Sequence, residues 1–468
     1  MLSLIPANSI REQLTQYIDK NSMTLSRFSE VSGINTGTIS RILHGNRPIS
    51  VSQLIAISSG MGVAADHFFA DYVEECFAYS VSMRRIRPFI LRSAELNRLD
   101  CIEQILYRLL DDLDYATELF EMAEQLFEQN QRSAAALLYK SVSEVEKYQH
   151  SERLAMCQYR MFLIGQGENL EENLRMAILF EPYVDRLDEG YQLDALKHLI
   201  HVFMAVHKWD KVDNLAQEMY KLAKIFYESK HLSKRREHHH ENHTERPLYT
   251  YILYAWLIRS TVYEEYGDYN KALEFVSLYA YGQGWLQEQD EESERIQQQF
   301  GEWATANTYL YRMLSGEREI VHEYADYISK YPDEIFLALR YMIQAANRFD
   351  WNIDDILDRF SEHTPLRTYK TEFGDYNKRI INESYARFLS DLGMYQLKRD
   401  RNDAMNLILE GLQMSVKINS DRNIITCMTL FEQYRDQADS EAKQKFKSLS
   451  SEVQRLNAKK NVFVANHF

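Results

Sequence analysis

Residues 33–48, GINTGTISRILHGNRP, gather three hydroxyls (Thr36, Thr38, Ser40), two guanidinium groups (Arg41, Arg47) and two amides (Asn35, Asn46) on one short segment. Side chains of this kind donate hydrogen bonds to anionic and carbonyl oxygens. A second concentration of reactive groups lies in SKHLSKRREHHHENHTERP, residues 229–247, with His231, His238, His239, His240 and His243. Imidazoles take up transition metals, but consecutive histidines on a charged loop supply no fixed coordination shell, and no second His or Cys cluster accompanies them. The four cysteines (Cys76, Cys101, Cys157, Cys427) stand far apart without a C-x-x-C pair, which fits a reducing compartment. The H-E-x-x-H, G-x-x-x-x-G-K-[ST] and G-x-S-x-G motifs are missing. Paired carboxylates single out no site in a chain with 69 Asp and Glu. The expectation is no metal, no cofactor and no enzyme.

Charge is unevenly placed. The chain carries −15 in all, but residues 1–70 are net +1 and the remainder net −16. An acidic body repels a polyanion, so any nucleic-acid contact belongs to the first 70 residues. With 16 Gly and 7 Pro among 468 residues, a sheet-rich fold with many tight turns is disfavoured, and residues of high helix propensity dominate. An all-α fold is expected. The start MLSLIPANSIREQ lacks the basic and apolar regions of a signal peptide, and no apolar run is long enough for a membrane span, so a cytoplasmic location is expected.

Periodicity divides residues 10–70 into five short helices. Ile10, Leu14, Tyr17 and Ile18 form one stripe. Thr24 caps a second helix with Leu25, Phe28 and Val31 inward, ended by Gly33. Asn35 caps a third around Ile39 and Ile42, followed by Gly45. Ser50 or Ser52 starts a fourth through Leu54 and Ile57, and a fifth runs from about Ala64 through Phe69.

This order, with Gly33 and Ile34 at the turn, Ile39 inside the third helix and GMGVAADHFF closing the unit, resembles the helix-turn-helix of the Cro/phage-repressor (XRE) family. The resemblance implies that the third helix lies in the major groove with its N-terminal residues facing base edges. Thr36, Gly37 and Arg41 then occupy base-facing positions, Arg41 being suited to guanine O6 and N7. Thr38, Ser40, Asn46 and Arg47 would donate to phosphates. Gly37 offers no side chain to a base. Leu25 stands where many members have Gln, and Ser29 where Ala is usual.

Beyond residue 70 the sequence predicts connecting helices over 71–110, then helix pairs over 111–468 with a loose repeat. RRIRP, residues 84–88, is a basic knot expected to pair with acidic helices. The clearest repeat copy is YILYAWLIRSTVYEEYGDYNKALEFVSLYAYGQ, residues 251–283, where Ala255, Tyr263, Gly267, Tyr269, Ala272 and Leu273 match tetratricopeptide (TPR) positions. Weaker copies lie at 194–226 and 381–418. About seven pairs are expected to stack into a right-handed α-solenoid with a concave face. The His-rich stretch 229–247 is expected to be an exposed loop between helices.

A repressor-type helix-turn-helix followed by a TPR-like solenoid resembles the RRNPP regulators of Gram-positive bacteria and their mobile elements, the phage arbitrium receptors among them. The resemblance implies a DNA-binding transcriptional regulator, homodimeric, whose binding to a double-stranded operator is set by a short signalling peptide in the solenoid groove. Asn side chains can satisfy an extended peptide backbone, and Arg or Tyr its side chains or terminal carboxylate. Suitable positions are Asn307 and Tyr311, Arg340 and Asn347, and Arg379 and Asn382. Two alternatives remain open on the sequence: control by a protein partner in place of a peptide, and a solenoid that acts mainly as an inhibitor of a protein target.

Overall fold

Four short polar side chains start four of the first five helices. Ser9 caps α1 (Ile10–Lys20) in a reciprocal box with Glu12. Thr24 caps α2 (Leu25–Ser32) by accepting from the Arg27 N–H. Asn35 caps α3 (Thr36–Leu43) through the Gly37 N–H, and Ser50 caps α4 (Val51–Met61) in a second box with Gln53. Each cap satisfies an otherwise orphaned donor, worth about 1 kcal/mol. Gly33 closes α2 at φ 71°, a left-handed conformation that glycine adopts without strain, and so turns the chain directly into α3. Gly60 lets α4 cross α2 closely, since a Cβ there would come within 2.9 Å of the Ser32 Cβ and 3.0 Å of the Phe28 ring.

The computed structural model describes residues 9–79, 81–109, 113–149, 151–167, 169–233, 244–280, 285–363, 374–399 and 403–465. Among these the chain is all-helical, 81% helix with no strand, as the composition predicts. It divides into two compact units: residues 1–166 with 171–192, and residues 167–170 with 193–468.

In the first unit α5 (Phe69–Phe77) begins later than the sequence predicts. Residues 65–68 form a turn, because the Asp66 carbonyl accepts from the Phe69 N–H at 3.0 Å and from the Arg98 guanidinium at 3.2 Å, which draws it out of a helical bond. The helices α6 (Met83–Glu95), α7 (Leu99–Leu109), α8 (Ala116–Glu128), α9 (Arg132–Glu146), α10 (Glu152–Ile164) and α11 (Leu170–Phe180) follow. One apolar core runs from Ile10 and Phe28 through Tyr72 and Phe89 to Cys157, with no break near residue 70. Of the basic knot, Arg87 donates to Gln125 at 2.9 Å and lies 4.0 Å from Glu121, both on α8, while Arg85 lies over the Tyr79 ring.

A single guanidinium joins α1 to the end of α3 and to α5. Arg11 makes a two-pronged pair with Glu75 at 2.6 Å on each arm, and donates from Nε to the Ile42 carbonyl at 2.9 Å. Its Nη2 also reaches the Arg47 carbonyl and the Tyr79 hydroxyl, both at 3.3 Å. Glu75 accepts in addition from the Ile49 N–H at 3.2 Å, and the Tyr72 hydroxyl donates to the Ile49 carbonyl at 2.7 Å. Glu75 is only 6% exposed.

The second unit runs from Leu193, inside α12 (Glu189–Ala205), through α13 (Trp209–Ser233), α14 (Leu248–Glu265), α15 (Tyr269–Ala280), α16 (Glu291–Ser315), α17 (Ile320–Ile328), α18 (Ile335–Phe349), α19 (Asp354–Arg359), α20 (Gly374–Leu397), α21 (Ala404–Ile418), α22 (Asp421–Gln433) and α23 (Ser440–Ala465). Helices α13 to α18 pack each on the next in the chain, as do α20 to α22, and α14 on α16, α16 on α18, α18 on α20 and α20 on α22 add contacts between alternate helices. Among the described residues sixteen helices, α8 to α23, follow residue 115.

The His-rich stretch needs a correction. Residues 229–233 continue α13, and the His231 side chain is 6% exposed, its Nε2 3.1 Å from Glu288. Tyr227, one turn earlier, donates to the same carboxylate at 2.6 Å, so Glu288 pins the last turn of the helix. His238, His239, His240 and His243 lie outside the described residues.

Removing Arg11 leaves Glu75 buried and uncompensated. Arg11→Met should therefore cost about 3–5 kcal/mol in urea unfolding. Arg11→Met combined with Glu75→Leu should recover much of that loss. A loss below 1 kcal/mol in the single variant would contradict this account of the pair.

Candidate functional site

Gly37, Arg41 and His44 are exposed and follow one another at i, i+4 and i+7, so they share one outward stripe of α3. Thr36, Thr38 and Ser40 are half-buried beside it, and Asn46 and Arg47 are exposed on the loop that follows. Ile39 and Ile42 anchor the opposite face at 1% and 0% exposure. The missing side chain at position 37 has a local reason. A Cβ there would stand 3.3 Å from the Asn35 oxygen that caps the helix, and the Gly37 carbonyl accepts from Arg41 Nε at 3.1 Å.

The loop after α3 has little freedom. The Asn46 N–H donates to the Arg41 carbonyl, the Gly45 N–H to the Ile42 carbonyl, and the Tyr79 hydroxyl to the Gly45 carbonyl, each at 3.0 Å. Arg11 holds the Ile42 and Arg47 carbonyls from the other side. No Asp or Glu occurs between Glu30 and Asp66, and Glu30 is paired with Arg27 at 2.7 Å. The outward face of α3 thus presents hydroxyl, guanidinium and imidazole groups with no carboxylate among them. Sequence reasoning found the stripe but missed its frame, because Arg11 and Glu75 are 64 residues apart and nothing local marks either as the other's partner. His44 was also missed, although its seven-residue spacing from Gly37 was a usable signal.

In the second unit, four helices bring a polar cluster together. Burial pushes the Glu264 carboxyl on α14 up to about 7, against the lowering effect of the nearby hydroxyls of Tyr341 on α18 and Tyr311 on α16. Burial likewise pushes Asp391 on α20 up to about 6, against the opposing charges of Arg387 and Arg340. The Arg340 guanidinium lies 4.3 Å from the Tyr341 ring centre, and its buried Nε has no hydrogen-bond partner among the described residues. The Tyr311 hydroxyl on α16 is 3.4 Å from Ser260 Oγ, and Asn307 Nδ2 donates to the Tyr279 hydroxyl at 2.9 Å. Asn347 Nδ2 donates to the Asp391 carbonyl at 2.7 Å, leaving its buried Oδ1 unpartnered.

Of the six candidate ligand residues, Tyr311, Arg340 and Asn347 therefore meet around Glu264 and Asp391, with Asn307 adjoining through Tyr279. Tyr311 is 1% exposed and Asn347 9%, so both support the cluster from behind, whereas Arg340 and Asn307 are half-buried. Asn382 is half-buried on α20, nine residues and roughly 13 Å along the helix from Asp391. The Arg379 side chain lies outside the described residues. A guanidinium whose Nε has no hydrogen-bond partner, a buried amide oxygen without a donor and two carboxyls that resist charging leave hydrogen-bonding capacity unused at this place in the stack. Among the described residues no group of His, Cys, Asp and Glu has the arrangement to hold a metal ion, and no helix is long and apolar enough to cross a membrane.

The two carboxyls keep protons in the folded chain that the unfolded chain has already released. Folding stability is therefore lost as pH rises from the ordinary carboxylate range through about 7. Glu264→Gln removes its share, so the wild-type melting temperature should fall more steeply between pH 5 and 7.5 than that of the variant. Equal slopes would place Glu264 in ordinary solvent. No protein-family model matches this chain, and a search of curated proteins finds no match either.

Proposed function

We propose that this chain is a DNA-binding transcriptional regulator of the kind the RRNPP resemblance implies. In this reading α3 lies in the major groove of a double-stranded operator, and a short signalling peptide bound at the Arg340–Glu264–Asp391 cluster sets operator affinity. The observation that carries the proposal is the carboxylate-free outward stripe of α3 on a clamped loop, in a chain whose remaining 398 residues are strongly acidic. A rigid cationic helix face meets a polyanion at low reorganisation cost, and the acidic body confines that contact to the first helices.

Arg41 and Thr36 face base edges, Gly37 allows close approach of the backbone, and Thr38, Ser40, Asn46 and Arg47 hold phosphates and fix register. A homodimer presents two such helices to half-sites about 34 Å apart, or a multiple of that. The peptide supplies an acidic group for the unpartnered Nε of Arg340, while Tyr311 and Asn347 hold the cluster from behind. It changes operator affinity only as far as its own affinity differs between the two states of the protein.

Competition binding with duplexes substituted one base pair at a time tests the DNA half of the proposal. Arg41→Ala should lose about 1–3 kcal/mol of discrimination at a single position and none elsewhere. An unchanged profile would remove Arg41 from base reading. Arg340→Ala tests the other half: operator binding without peptide should be retained and the response to peptide lost. A full response in that variant would contradict the assigned site.

A further inference from the structure

We infer that His44 is a proton-linked phosphate contact, an imidazole that takes up a proton as the α3 face engages DNA. The inference rests on the DNA-binding reading above and adds to it a residue that the motif resemblance did not assign. His44 is the C-cap residue of α3, exposed, on the same stripe as Gly37 and Arg41. Base edges are met by the N-terminal part of such a helix, which leaves its C-terminal end beside the sugar-phosphate backbone.

The ring is held in one tautomer. Its Nδ1 lies 2.7 Å from the Ser40 carbonyl oxygen, which only accepts, so Nδ1 carries the hydrogen whether or not the ring is charged. Nε2 is then the outward atom. Neutral, it is an acceptor, and against a phosphate oxygen two acceptors would face each other. Protonated, it becomes a charged donor, and the contact turns into a charge-assisted hydrogen bond. DNA binding therefore favours the protonated ring.

The surroundings leave the proton to the DNA. On α3 and its loop the charged neighbours are Arg41 and Arg47. On α2 Glu30 is paired with Arg27. On α1 Glu12 accepts from the Ser9 N–H, and Asp19 lies at the opposite end of the helix from Arg11. On α5 Glu75 is paired with Arg11, Glu74 with Arg108, and Asp71 accepts from Gln13, while the Tyr79 hydroxyl is donated to Gly45. Every carboxylate near this end of α3 already has a partner. An added phosphate is the counter-charge that the imidazolium lacks in the free chain.

The test uses the full chain and a duplex that it selects from a randomised pool. Affinity is measured between 50 and 200 mM salt at pH 5.5 and at pH 8. For the proposed homodimer, with two His44 side chains at the phosphates, the wild-type slope of log affinity against log salt should be steeper by about 1.8 at pH 5.5, equivalent to about a 12-fold larger loss over that salt range. His44→Gln should show the shallower slope at both pH values, and His44→Arg the steeper slope at both, with base preferences unchanged in each. A wild-type slope that ignores pH, or a His44→Gln slope that keeps the wild-type dependence, overturns the role of His44 while DNA binding stands. Failure of the wild type to select or bind any duplex overturns the DNA-binding reading, and His44 with it.

Discussion

The outward stripe of α3 depends on one buried ion pair. Arg11 is nearly saturated: its guanidinium serves Glu75, the Ile42 and Arg47 carbonyls and the Tyr79 hydroxyl at once. The C-terminus of a helix exposes carbonyls that have no partner within it, and here a side chain from α1 joins the Gly45 N–H in donating to the Ile42 carbonyl. Glu75 repeats the arrangement on the other side by accepting from the Ile49 N–H. Lysine would not replace Arg11, since the planar fork is what reaches a carboxylate with two arms and still leaves Nε for a carbonyl. Burying two charges contributes little net stability. What the pair supplies is position: it ties residues 42, 47 and 49 to α1 and α5, and Arg41, His44, Asn46 and Arg47 project from that frame.

How much of this could be read from the sequence follows from the range of each interaction. Capping by Thr24, Asn35 and Ser50 and the glycine turn at Gly33 act within three or four residues, and their signals stand side by side in the chain. The inward stripes of Ile10, Leu14 and Ile18, or Ile39 and Ile42, are equally local. The start of α5 was misread because Arg98, 32 residues away, takes the Asp66 carbonyl. His231 looked like part of a charged loop because Glu288, 57 residues on, gives no local sign that it will hold α13 to its end. Gly37 looked like a gap in the DNA-facing set, and the close oxygen of Asn35 accounts for it.

The same limit applies to the second unit. Asn307, Tyr311, Arg340 and Asn347 stood out as polar positions on successive helices, and the fold does bring them near one another. Their centre, Glu264 and Asp391, was invisible among so many acids, because only tertiary packing makes these two hard to ionise. A stack of helices gains no stability from such groups. In the proposed mechanism they make ligand binding consequential, since a ligand that satisfies Arg340 relieves a cost built into the unliganded stack and so favours one packing of the helices over another.

The central claim is that α3 and the loop behind it are the surface that meets DNA. Amide hydrogen exchange of the full chain, with and without a saturating duplex selected by the protein, tests it most directly. The account predicts slowed exchange confined to residues 36–47 and their immediate frame in α1 and α5, with the acidic helices of the second unit free of direct protection by the duplex. Protection centred elsewhere, with 36–47 exchanging as in the free protein, would contradict it.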